Sequence, residues 1–192
     1  MTGRLLGVTA AALLALPLGA HAQSPSTGVR DRAADAIDFD SDKDKPESDA
    51  VLPLAPKPEN LIKYDPGRPG SMSFYVDAAS ISVSPDGIVR FTSVAKGDGA
   101  SQNVAFEGIR CATREKKTYA YGKADGSWSP VRDPQWSPLR TLTVEGYRFT
   151  LYQDYFCPAR AIIGSAEEGV SALKRGGHPR AADATRVDPF NR

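Results

Sequence analysis

Between Ser71 and Gly122 the chain runs through short β-prone stretches separated by turn signals, and this rhythm limits the fold more than anything else in the sequence. "SFYVD" is followed by "SISVS", where Ile81 and Val83 alternate with serines, the period of a half-buried strand. "SPDG", Ser84 to Gly87, is a turn with a mechanism: proline presets φ, aspartate bonds to nearby backbone and glycine accepts positive φ. "IVRFTSVAKG" reads as the next strand and "GDGAS" as the next turn. "QNVAFEGIRCAT" sets Val104, Phe106 and Gly108 on one side and Ala105, Ile109 and Cys111 on the other. "KTYAYG" follows, then an Asp-Gly turn at Asp125-Gly126. Runs at hairpin spacing predict an antiparallel meander of four or five strands.

Beyond the proline-rich loop "SPVRDPQWSPLR" the pattern changes. In "TVEGYRFTLYQDYFC", Val144, Tyr147, Leu151 and Tyr155 recur at helical spacing, while the aromatic and β-branched content also suits a strand. A helix over Val144 to Tyr155 is the favoured expectation. Ser165 followed by Glu168 is a capping box, and Gly176 and Gly177 stand where a C-cap belongs, which predicts a second helix over "AEEGVSALKRGG". The fold class is α+β: four or five antiparallel strands with one or two packed helices. That domain is expected over residues 58–176, with a flexible tail over 177–192.

The N-terminus carries an address rather than structure. Arg4 precedes an apolar run from Leu5 to Leu18, and Ala20-His21-Ala22 is a small-x-small cleavage pattern, so residues 1–22 read as a signal peptide cut between Ala22 and Gln23. The run is shorter than the roughly 20 apolar residues of a membrane span. The expected location is the periplasm, with no transmembrane segment after cleavage. Losing Arg4 from 24 basic residues leaves them equal to the 23 acidic ones, and a neutral mature chain argues against nucleic-acid binding.

Residues 23–57 are rich in Ser, Pro, Asp, Lys and Glu and follow no sustained period, which predicts a disordered acidic, proline-rich arm. Asp38, Asp40, Asp42 and Asp44 alternate as in a calcium loop, but Lys43 and Asp49 stand where such a loop needs glycine and glutamate. No metal site is expected.

The two cysteines, Cys111 and Cys157, fit neither a C-x-x-C nor a metal-ligand pattern. In an oxidising compartment such a pair forms a disulfide. Closing a loop of about 46 residues stabilises by roughly 4 kcal/mol in the chain-entropy account.

"FYVDAASISVSPDGIVRFTSVAKGDGASQNVAFEGIRCATREKKTYAYGKADGSW" followed by "LYQDYFCP" resembles the cryptic neisserial protein one-like family of exported bacterial proteins. The matching features are the aspartate after the first aromatic strand, "DGIVRFT", "EGIRC" with its basic tail, "YAYGKADGSW" and the second cysteine in "DYFCP", together covering about residues 57 to 165. The resemblance implies export and a matching domain, and it brings no activity and no catalytic residue.

Catalytic chemistry has little to build on. His21 leaves with the signal peptide, and His178 sits in a glycine-flanked tail, so no Ser-His-Asp system has a structured histidine. Asp77, Glu107 and Asp154 could serve an enzyme that uses carboxylates alone. The expectation is a chain with no cofactor and no catalytic residue: a binding or accessory module for another envelope protein or a cell-wall component, or else a structural subunit of an envelope assembly. Arg110, Arg114, Lys116, Lys117, Tyr119, Tyr121, Lys123 and Trp128 form the candidate binding face on one hairpin. The alternative is a solvated edge whose lysines guard against aggregation and whose tyrosines pack inward.

Overall fold

The computed structural model describes residues 45–67, 70–99, 101–140 and 146–182; the expected signal peptide of residues 1–22 and the alternating aspartates of residues 38–44 lie outside them. Two x-x-Asp-Gly turns set the hairpins. In Ser84 to Gly87, Gly87 N–H donates to the Ser84 carbonyl at 3.0 Å, Asp86 Oδ1 accepts from Ile88 N–H, and Gly87 takes φ 76°. Lys123 to Gly126 repeats this: Gly126 N–H donates to Lys123, Asp125 Oδ1 accepts from Ser127 N–H, and Gly126 takes φ 83°. A positive-φ glycine closing such a turn matches the twist of antiparallel strands.

The sheet is antiparallel and has seven strands among the described residues, more than the four or five expected. They are β1 (Leu61–Tyr64), β2 (Ser73–Val83), β3 (Ile88–Lys96), β4 (Gln102–Arg110), β5 (Glu115–Gly122), β6 (Trp128–Pro130) and β7 (Ser137–Pro138). The order is β1-β2-β3-β4-β5-β6, with β7 also paired to β5. "SFYVD" and "SISVS" join as one strand, β2, with a register shift between Asp77 and Ser82. Asp77 Oδ1 accepts from Ala79 N–H there, and the Ser80 hydroxyl donates to the Asp77 carbonyl while accepting from Thr92 N–H. The aspartate after the first aromatic run thus fastens an irregularity. Strands β1, β6 and β7 were missed because each is short and two contain proline, which is tolerated at sheet edges.

The favoured helix is present. Helix α1 (Gly146–Thr150) continues into a π-helical segment (Leu151–Phe156); residues 144 and 145 lie outside the described ones. Helix α2 (Ala166–Lys174) starts with the Ser165 hydroxyl accepting from Glu168 N–H, and Glu168 Oε2 reaches back to Gly164 N–H. Both helical segments pack on one sheet face, where Val76, Phe91, Ile109, Leu151, Tyr155 and Phe156 are almost fully buried. Cys111 and Cys157 are bonded, with Cα atoms 5.5 Å apart, tying the end of β4 to the end of the π-helical segment.

Two expected boundaries meet ordered structure. Residues 45–57, assigned to the disordered arm, contact the other face of the sheet through side chains and carbonyls. His178, assigned to the flexible tail, is buried: its N–H donates to the Asp154 carbonyl at 2.7 Å and its Nε2 lies 2.8 Å from Glu168 Oε1. In both segments the partners are remote in sequence, so composition alone could not announce them.

Candidate functional site

Strand β4 divides the molecule's polar chemistry between two faces. Glu107 points toward the helices, where its Oε1 accepts from Arg148 Nε at 2.6 Å and from Thr118 Oγ1 at 3.2 Å, and its Oε2 accepts from Ser93 Oγ at 2.6 Å. It is 1% exposed, and the cluster fastens α1 to the sheet. Its neighbour Phe106 points the other way, packing against Tyr119 and Trp128. Asp77 is registered through Thr92 with Phe106, so Asp77 and Glu107 lie on opposite faces of the sheet. Asp154 lies elsewhere, beside a cleft of about 540 Å³ that Asp65, Arg175 and His178 also line. Burial raises the Asp154 pKa and the Asp65 charge adds to the rise, against the Gln153 hydrogen bond. Burial likewise raises Asp77, against the Ala79 N–H. The three carboxylates do not converge.

The candidate binding face is split by a β-bulge. Phe106 pairs with Ala120 and Glu107 with Thr118, so Tyr119 is an extra residue in β5. The bulge turns Tyr119 and Ala120 to the same side, with Phe106, and sends Tyr121, opposite Ala105, toward the helix face. Strict alternation would have kept Tyr119 and Tyr121 together. Arg114 also belongs to the helix side, its guanidinium 5.8 Å from the Tyr152 ring, and Lys116 is registered with Ile109 of the helix-side core. Lys123 is exposed in the β5–β6 turn. Arg110, Lys117, Tyr119 and Trp128 remain on the far face, joined by Trp136 and Arg90.

These residues form a groove, and residues 45–57 lie in it. Glu47 is the anchor: its carboxylate accepts from Tyr119 OH at 2.8 Å, Lys117 Nζ at 2.9 Å and Trp136 Nε1 at 3.0 Å, with Arg90 Nη2 at 3.7 Å. Burial alone would raise its pKa, but these bonds and the Lys117 charge outweigh it and hold Glu47 below the usual glutamate value. Burial and the Glu47 carboxylate together push the Tyr119 hydroxyl well up, against Arg90, so it stays a donor. One residue on, the Ser48 backbone is clamped at both ends: its N–H donates to Asp86 Oδ2 at 2.9 Å and its carbonyl accepts from Arg90 Nη2 at 3.0 Å. Arg90 in turn holds Asp86 at 2.8 Å and the Ser84 hydroxyl at 2.7 Å. Burial raises Asp86, and the bonds from Arg90, Ser48 and Ile88 outweigh it, leaving its pKa lowered.

Further along, Ala50 packs on the Phe106–Tyr119 cluster and the Pro53 carbonyl accepts from Trp128 Nε1 at 2.7 Å. Arg110 closes one end of the groove, stacked 4.3 Å from the Trp136 ring centroid. The groove depends on Gly108: a Cβ there would come within 2.8 Å of the Tyr119 hydroxyl. Sequence reasoning singled out Lys117, Tyr119 and Trp128 but missed Arg90, Asp86 and Glu47. Arg90 sits mid-strand and Glu47 in a polar tract, and no local pattern joins them. The proline-rich loop that carries Trp136 was visible, but not the direction its indole points.

No curated protein and no solved structure matches this chain. A family model does match, over residues 40–174, a span that takes in Glu47, the groove, both cysteines and α2. The chain belongs to the CNP1-like family.

Proposed function

We propose that this protein is an exported, periplasmic binding or accessory module that uses the face of β3, β4 and β5 away from its helices to hold another envelope component, without catalysis. The observation that carries this reading is the donor set around Glu47. Three side-chain donors from two separate segments, Lys117, Tyr119 and Trp136, converge on one carboxylate within 3.0 Å, with Trp128 presenting a further donor along the same groove. Such aromatic and cationic anchors are the residue types that dominate recognition surfaces. The signal-like N-terminus and the disulfide agree with an oxidising compartment.

In-cell photo-crosslinking tests it, with a photoreactive residue replacing Lys123 or Leu54, both exposed and both beside the groove. One recurring crosslinked envelope component, lost when Trp128 is changed to Ala, is the expected result. Scattered background from both positions would return the groove to a purely internal role.

A further inference from the structure

Residues 47–56 occupy the groove in a pattern of their own. Glu47, Ala50, Pro53 and Pro56 are half-buried, while every residue between them is exposed. A repeat of three belongs to the polyproline II helix, which has three residues per turn and no internal hydrogen bonds. The sheet supplies what that conformation lacks. It clamps the Ser48 peptide with Asp86 and Arg90, and it caps the Pro53 carbonyl with the Trp128 indole. An aromatic-lined groove whose indole donates to a ligand carbonyl is a known physical solution for reading such segments. The outward residues Val51 and Leu54 are 83% and 84% exposed, so the groove does not read them.

We infer that this groove is a recognition site for an extended, acidic, proline-containing segment of a partner polypeptide, read at every third residue as a carboxylate, a small residue and a proline, and that residues 47–56 are its built-in competitor. The inference rests on the binding-module reading and gives it a ligand class. Charge favours it: an acidic side chain enters beside Lys117 and Arg90, and the nearby carboxylates Asp86 and Glu115 are already paired with Arg90 and Arg110. A segment tethered through residues 57–60 acts at an effective concentration of about millimolar, so a free ligand competes only when the internal segment is weakened or the partner presents its own at high local concentration.

The experiment uses the mature chain and a fluorescein-labelled peptide of residues 45–58, followed by anisotropy. Glu47→Arg places a cation against Lys117 and opens the groove; protease cleavage beside Val51 reports the opening, and circular dichroism reports the intact sheet. Should Glu47→Arg leave the segment docked, Glu47→Arg with Ala50→Glu removes a second contact. The opened protein is expected to bind the peptide saturably and at least tenfold more tightly than the unaltered chain. A peptide with Gln at its Glu47 position should bind about tenfold more weakly, as should the opened protein carrying Trp128→Phe. No saturable binding to a folded, opened groove would overturn the inference, even if a crosslinked partner were found from Lys123 or Leu54. Binding indifferent to both changes would overturn it too. An unaltered chain that sediments as a dimer, and loses the dimer on Glu47→Arg, would assign the groove to a second copy instead.

Discussion

Replacing Arg148 by Met should destabilise the protein more than any single change on its surface. Glu107 is 1% exposed, and among the described residues Arg148 provides its cationic hydrogen-bond donor, at 2.6 Å, while the Ser93 and Thr118 hydroxyls remain as neutral donors. Removing one partner of a buried ion pair costs about 3–5 kcal/mol, and the two remaining hydroxyls place this case near about 3 kcal/mol. In a domain of this size each kcal/mol moves Tm by about 3 °C, so the melting temperature should fall by about 10 °C. The double variant Glu107→Gln, Arg148→Met removes the stranded charge; the Gln carbonyl accepts from one of the two hydroxyls and its amide N–H donates to the other, so it should lose only about 1 kcal/mol. Thermal and urea unfolding of the four proteins gives the coupling energy directly. A loss under about 1 kcal/mol for Arg148→Met, or a double variant as unstable as the sum of the singles, would refute the claim that this pair is desolvated and holds α1 to the sheet.

Other outcomes follow from the groove and the staple. Acidification should release residues 45–57: docking favours the ionised Glu47, so it is complete above the ordinary glutamate pKa of 4.5 and is lost as pH falls through the lowered docked value. Tryptophan fluorescence from Trp128 and Trp136 should report a transition below pH 4.5, and Glu47→Gln, lacking that titration, should show weaker docking at neutral pH. Gly108→Ala should displace Tyr119, whose hydroxyl would stand 2.8 Å from the new Cβ, and make the segment around Val51 protease-sensitive at neutral pH. Replacing Cys111 and Cys157 by Ala should cost about 4 kcal/mol on denaturant unfolding, and intact native protein should contain no free thiol.

What could be read from the sequence was local. The turns at Asp86-Gly87 and Asp125-Gly126, the alternation of β3 and β4 and the Ser165–Glu168 cap each depend on residues a few places apart, and each stands where the pattern put it. The disulfide followed from the expected oxidising compartment together with the elimination of other cysteine chemistries. The groove was half legible. Lys117, Tyr119 and Trp128 stood out as a cluster of cations and aromatics, but their face depends on a bulge, and a bulge leaves no mark in composition. Residues 45–57 looked disordered because a segment half-buried at every third residue shows neither the period of a strand nor that of an α-helix. Its contacts are with Asp86 and Arg90, about 40 residues away, and with Lys117, Trp128 and Trp136, about 70 to 90 residues away. Glu107 read as one acid among several until the fold put Arg148 beside it.

The bulge in β5 bears on how such a groove could arise. Because Thr118 already pairs with Glu107 and Ala120 with Phe106, removing Tyr119 would let the ladder close without moving any other residue to a new face. Tyr119 is therefore an insertion into an otherwise regular strand, and its ring and hydroxyl are what the insertion adds. A sheet of this kind can acquire an anchoring side chain by lengthening a strand by one residue, with no existing core position given up. Deleting that residue is correspondingly the cleanest way to remove the anchor on Glu47: the deletion variant should keep its fold and disulfide while losing its hold on Glu47, which a substitution, leaving the kink behind, would not achieve so simply.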